Sequence, residues 1–121
     1  MRCLFLAAVF VSCQVAAAQG TGFAHSASDC REGGDFIRNA ALSRDGGMSR
    51  ETFLSRLEDD MVTIRAFPVS LRWFVHTPDD ESFLRREVQA VFDAPDLSER
   101  HRDGFMERCA RRAGRLEQSS N

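Results

Sequence analysis

A chain of 121 residues with 43% apolar content has room for one modest core and no second domain. All 16 basic residues are Arg; they face 18 acidic residues for a net charge of −2, which argues against a nucleic-acid binder, a class that normally carries a basic excess.

Met1-Arg2 is a short basic start, Cys3 to Val15 is apolar except for Ser12 and Gln14, and Ala16-Ala17-Ala18 ends the run with small residues. These are the three parts of a secretory signal peptide, expected over residues 1–18. The run is shorter than the roughly 20 apolar residues that span a bilayer. A rival reading takes Phe10-Val11-Ser12-Cys13 as a loose lipobox, with a lipoprotein anchored through Cys13. Residues 19–28 are small and polar and read as a flexible leader, 29–116 as the helical domain, and 117–121 as a disordered tail.

Removal of the signal leaves Cys30 and Cys109. Two cysteines in an oxidising compartment read as a disulfide, here across a sequence separation of 79 that ties one end of the domain to the other. Loop-closure entropy makes such a link worth about 4 kcal/mol.

The first helix is expected from about Asp29 to Arg44, capped by Ser28 or Asp29 and stopped by Asp45-Gly46-Gly47. Gly33-Gly34 is a local conflict, since each Gly costs up to about 1 kcal/mol against Ala inside a helix. Either the helix starts after the pair or a neighbour packs on the bare backbone there. Ser49 opens the second helix, in which Phe53, Leu54, Leu57, Met61 and Ile64 share one stripe. Pro68 then introduces Val69 to Val75, which reads as a short buried helix in preference to a lone strand. Thr77-Pro78-Asp79-Asp80-Glu81 is a strong helix start: a capping hydroxyl, Pro in the first turn and acids at the positive end of the dipole. Its apolar face is Phe83, Leu84, Val88, Val91 and Phe92, and Asp93-Ala94-Pro95 stops it. Ser98 is the expected cap of a last helix that carries His101, Phe105 and Cys109 at four-residue steps.

The histidines His25, His76 and His101 show no ligand spacing, C-x-x-C and C-x-x-C-H are absent, and no Ser lies in G-x-S-x-G. The expectation is therefore no catalytic, metal or cofactor site. Two surfaces are candidates for a partner. One centres on Trp73 and Phe74 in the densest apolar stretch. The other is the basic last helix with Arg108, Arg111 and Arg112, which would face an anionic envelope component or protein unless the charges only complement the helix dipole.

The order Cys30, Ala40-Ala41, Arg44-Asp45-Gly46-Gly47, Phe74-Val75-His76-Thr77-Pro78, Phe105-x-x-x-Cys109 resembles small exported proteins of Gram-negative bacteria that have no assigned activity. The resemblance implies a helical fold with an end-to-end disulfide and an address in the periplasm or outside the cell. The fold expected is all-α, four to five short helices closed by one disulfide. The function expected is non-enzymatic binding of a protein or envelope component. Alternatives are an acid- or envelope-stress chaperone and a hydrolase inhibitor presenting the loops Arg44 to Met48 or Asp93 to Leu97.

Overall fold

The computed structural model describes residues 24–121, so the expected signal peptide, Cys13 and the first half of the expected leader lie outside the described residues. Among those described, the chain is all-helical, with four α-helices and no strand: α1 (Ala27–Asp45), α2 (Arg50–Arg65), α3 (Pro78–Asp93) and α4 (Ser98–Ser119). A 3-10 turn spans Val69–Leu71. No helix among the described residues is long and apolar enough to cross a membrane.

Consecutive ion pairs give the directions of the helices. Asp35–Arg102 and Arg38–Glu99 run α1 against α4, Arg65–Glu81 and Glu58–Arg85 run α2 against α3, and Asp79–Arg112 and Glu87–Arg108 run α3 against α4. The Cys30–Cys109 disulfide joins α1 to α4 across a Cα–Cα distance of 5.7 Å. α1 and α4 form the closest helix pair, α3 lies on both α1 and α2, and the seam between α1 and α2 is loose.

The Gly pair makes the close approach of α1 and α4 possible. Both glycines are helical and buried; a Cβ on Gly33 would stand 2.5 Å from the Phe105 ring, and one on Gly34 2.8 Å from Met106 Cγ. The sequence conflict is thus resolved by a neighbour on bare backbone. Around this contact Ile37, Met61, Phe74, Leu84, Val88, Val91 and Phe105 build the core. α1 ends in a Schellman turn: Met48 N–H donates to Ser43 O, Gly47 N–H donates to Arg44 O, and Gly47 takes φ +95°.

Several expectations are corrected. The N-cap of α1 is Ser26, in a capping box with Asp29, so the chain is ordered from within the expected leader, and His25 is buried. Residues 69–75 form neither the expected helix nor a strand. After the 3-10 turn the chain is irregular; Val69 and Leu71 face solvent while Phe74 and Val75 enter the core. Neither helical nor alternating periodicity survives, because the core takes two adjacent side chains, Phe74 and Val75. α4 is capped by Leu97 without a side-chain bond and continues through Gly114 to Ser119, taking in part of the expected tail.

Candidate functional site

Three features gather chemistry on this scaffold: a buried polar network, an arginine-lined groove, and an apolar seam.

The network begins at the helix caps. Ser26 Oγ accepts from Asp29 N–H and Asp29 Oδ2 accepts from Ser26 N–H, which turns the preceding residue inward. Burial raises the Asp29 pKa, but the Ser26 hydrogen bonds and the nearby imidazoles outweigh it and hold the carboxyl below its ordinary value. The His25 ring then stacks on Phe74 at 4.0 Å and on His76 at 5.4 Å. His25 Nε2 lies 2.6 Å from Phe74 O; a carbonyl only accepts, so Nε2 carries the proton. At the start of α3, Asp80 closes the second capping box with Thr77, and its Oδ2 also accepts from His76 N–H. Its other oxygen, Oδ1, lies 2.7 Å from Arg112 NH1. Arg112 reaches Asp79 Oδ2 at 2.9 Å and stands over the Phe83 ring.

Ligand atoms of His25, His76 and Asp80 lie within 4.8 Å of one another, a donor set that suits a transition-metal dication. The rest of the cluster opposes that use. Both Asp80 oxygens are engaged, and Arg112 NH1, which contacts Asp80, is also 3.5 Å from His25 Nδ1. A dication there would meet a fixed guanidinium. The cluster instead ties the incoming chain, the 65–77 segment, α3 and α4 together.

The groove lies between α3 and α4, with a volume of about 480 Å³. Asp79, Phe83, Arg86 and Glu87 line it from one face of α3, and Arg108, Arg111, Arg112, Arg115 and Leu116 from one face of α4. Glu87 accepts two bonds from Arg108, which raises the Arg108 pKa above its ordinary value against the effect of burial.

The seam is a furrow between α1 and α2. Its two compartments, of about 320 and 180 Å³, share Phe36, Leu57 and Asp60. Trp73, Ile64, Val75 and Leu84 wall the larger one. The Phe36 ring meets Trp73 at 5.2 Å and Phe53 at 5.8 Å, tilted by 57° and 58°, so rings bridge the gap that the helices leave.

The expected site residues separate on this surface. Cys30 and Cys109 are bonded. Trp73 is half-buried in the seam, whereas Phe74 is a core residue and drops out of the partner surface. Arg108 and Arg111 line the groove; Arg112 also lines it, but as a buried member of the network and not as an exposed contact. The two loops proposed for an inhibitor meet at one end of the molecule, where Arg44 donates to Val91 O at 2.6 Å and to Asp96 O at 2.7 Å. Phe36, Arg86 and the His25–Asp80 association escaped the sequence reading. The i, i+3, i+4, i+7 spacing of Arg108, Arg111, Arg112 and Arg115 was the available signal for the groove; no local signal brings residue 25 to residue 80. Comparison of the chain with protein-family models, with curated proteins and with solved structures finds no match.

Proposed function

We propose that this chain is an exported, non-enzymatic binding protein that takes an apolar segment of a protein partner into the seam between α1 and α2. The observation that carries the reading is the seam itself: a furrow walled by Phe36, Leu57, Ile64, Trp73 and Val75 that stays open beside a closed core. Phe67 and Leu71, both exposed, extend the apolar surface in the segment leading to Trp73. Charge selects the occupant. Asp60 is the charged residue lining the larger compartment and makes no ion pair among the described residues, while Arg56 lines only the smaller one, so the segment that fits the larger compartment carries Leu or Phe beside a Lys or Arg. Export is supported by the signal-like residues 1–18 and by the disulfide, a bond that persists in oxidising compartments.

Trp73 is the chain's one tryptophan, so its fluorescence reports on the seam. Titration with short Leu/Phe peptides flanked by Lys gives a saturable spectral change; Glu-flanked counterparts bind at least tenfold more weakly, and Asp60→Asn narrows that difference. Absence of saturation, or equal binding of both peptide sets, overturns the reading.

A second reading, an acid- or envelope-stress chaperone, is favoured by Asp80, Glu81 and Glu87, three buried carboxylates each paired with an Arg. Losing such a pair strands a buried guanidinium, and in strong acid, at roughly pH 2–3, the acidic half of the chain's charge is lost and its arginines repel one another. Suppression of client aggregation at that pH supports it; no suppression removes it.

A further inference from the structure

We infer that the groove between α3 and α4 is a binding site for a phosphate-bearing small molecule, independent of the apolar seam. Structural pairing explains only part of the charge pattern along α4. On an amphipathic helix, the stripe facing a neighbour is normally apolar. On α4, Arg108, Arg111, Arg112 and Arg115 occupy such a stripe, and Arg86 answers from α3. Asp79 and Glu87 oppose these five within the groove, and Asp80 and Glu107 pair with Arg112 and Arg111 from beside it, which leaves one positive charge in excess. The chain around it is acidic: Arg2 aside, 15 arginines face 18 acids.

The helix dipole does not account for the pattern. Its effect is confined to the last turn, and the last turn of α4 holds no basic residue. Ion pairing accounts for part of it. Arg108 serves Glu87, Arg112 serves Asp79 and Asp80, and Arg111 reaches Glu107 along its own helix. Arg86 and Arg115 make no ion pair or side-chain hydrogen bond among the described residues, yet both line the groove, one from each wall. Two unengaged guanidinium groups on facing helices suit an anion with several oxygens, because each planar fork binds two of them. Paired Arg108 and Arg112 tie the two walls together, and Phe83 and Leu116 give the apolar part of a ligand something to lie on. A volume of about 480 Å³ is in the size range of small-molecule clefts.

The probe is inorganic pyrophosphate, titrated calorimetrically into the full-length protein at low salt. Wild type binds it saturably, and added salt weakens the binding. The Arg86→Gln/Arg115→Gln double variant loses at least tenfold in affinity while its unliganded melting curve is unchanged, since neither side chain has a partner to lose. Arg56→Gln, on the opposite seam, binds as wild type does. Three results overturn the inference: no saturable binding by wild type, equal loss in Arg56→Gln and the groove variant, or binding to phosphatidylglycerol vesicles without binding to pyrophosphate.

Discussion

Replacing Gly33 with Ala sets two calculable effects against each other. Inside a helix the change is worth about 1 kcal/mol in favour of Ala. The new methyl, however, would stand 2.5 and 2.7 Å from Cε1 and Cζ of Phe105 and 3.2 Å from Cδ2 of Phe74. Carbon atoms at rest sit roughly 3.5–4.0 Å apart, so about 1 Å of displacement is required. Phe105 has nowhere to go: it is fully buried, with the Phe74 and Phe83 rings both 5.5 Å away. Either α1 and α4 separate, against the disulfide one turn away, or the aromatic cluster repacks. Overpacking of this kind costs about 1–3 kcal/mol, and the depth of the clash places it at the upper end, for a net loss of about 2 kcal/mol. In a domain of this size that lowers the melting temperature by roughly 8–16 °C. Gly34→Ala differs in degree, because its methyl meets Met106 Cγ at 2.8 Å and Arg102 Cγ at 3.4 Å, on unbranched, partly exposed side chains, and Met106 makes room by turning about its Cα–Cβ bond. Its gain and cost nearly cancel. Gly114→Ala meets nothing within 4 Å and calibrates the propensity gain with up to about 1 kcal/mol of stabilisation. Urea and thermal melts followed by circular dichroism, with the disulfide intact, should order the proteins Gly114→Ala, wild type with Gly34→Ala, then Gly33→Ala. A Gly33→Ala protein as stable as wild type would refute the claim that bare backbone is what lets α1 meet Phe105.

Opening the disulfide frees the unfolded chain from a constraint spanning 79 residues, worth about 4 kcal/mol by loop-closure entropy. The Cys30→Ala/Cys109→Ala double variant should lose most of that in urea unfolding, and a loss under about 1 kcal/mol would show that the link does not restrict the unfolded ensemble. Asp80→Ala removes the acceptor of the His76 and Thr77 amides and leaves Arg112 with Asp79 alone, so it should cost about 3–5 kcal/mol by the same melts. Asp80→Asn, which keeps one acceptor oxygen for the amides, should cost less; equal stability of both variants with wild type would contradict the network described above.

Local chemistry in the chain was enough to place much of this architecture. Thr77 before Pro78, the acids after it, Ser49 before the Phe53–Ile64 stripe, and the Gly46-Gly47 stop act within a turn of themselves, so α2, α3 and the end of α1 were legible. The Cys30–Cys109 pairing followed from the expectation that residues 1–18 are removed, which leaves two cysteines. Contacts between distant segments have no such local signature. Ser26 and Ser28 are both competent caps, and the choice of Ser26 goes with His25 finding Phe74 and His76 across the fold. Residues 69–75 have a composition that fits helix or strand; packing overrides both by burying Phe74 and Val75 in succession and leaving Val69 and Leu71 in solvent. The Arg108–Arg115 stripe could be read from spacing, but its meaning depends on Arg86 and Glu87 standing opposite on α3, and on α1 and α2 failing to close the Trp73 furrow. Hydrogen bonds at caps and turns are satisfied by near neighbours, so short stretches of residues specify them; a groove is the space left between helices, and helix spacing is set by side chains that the chain brings together only on folding.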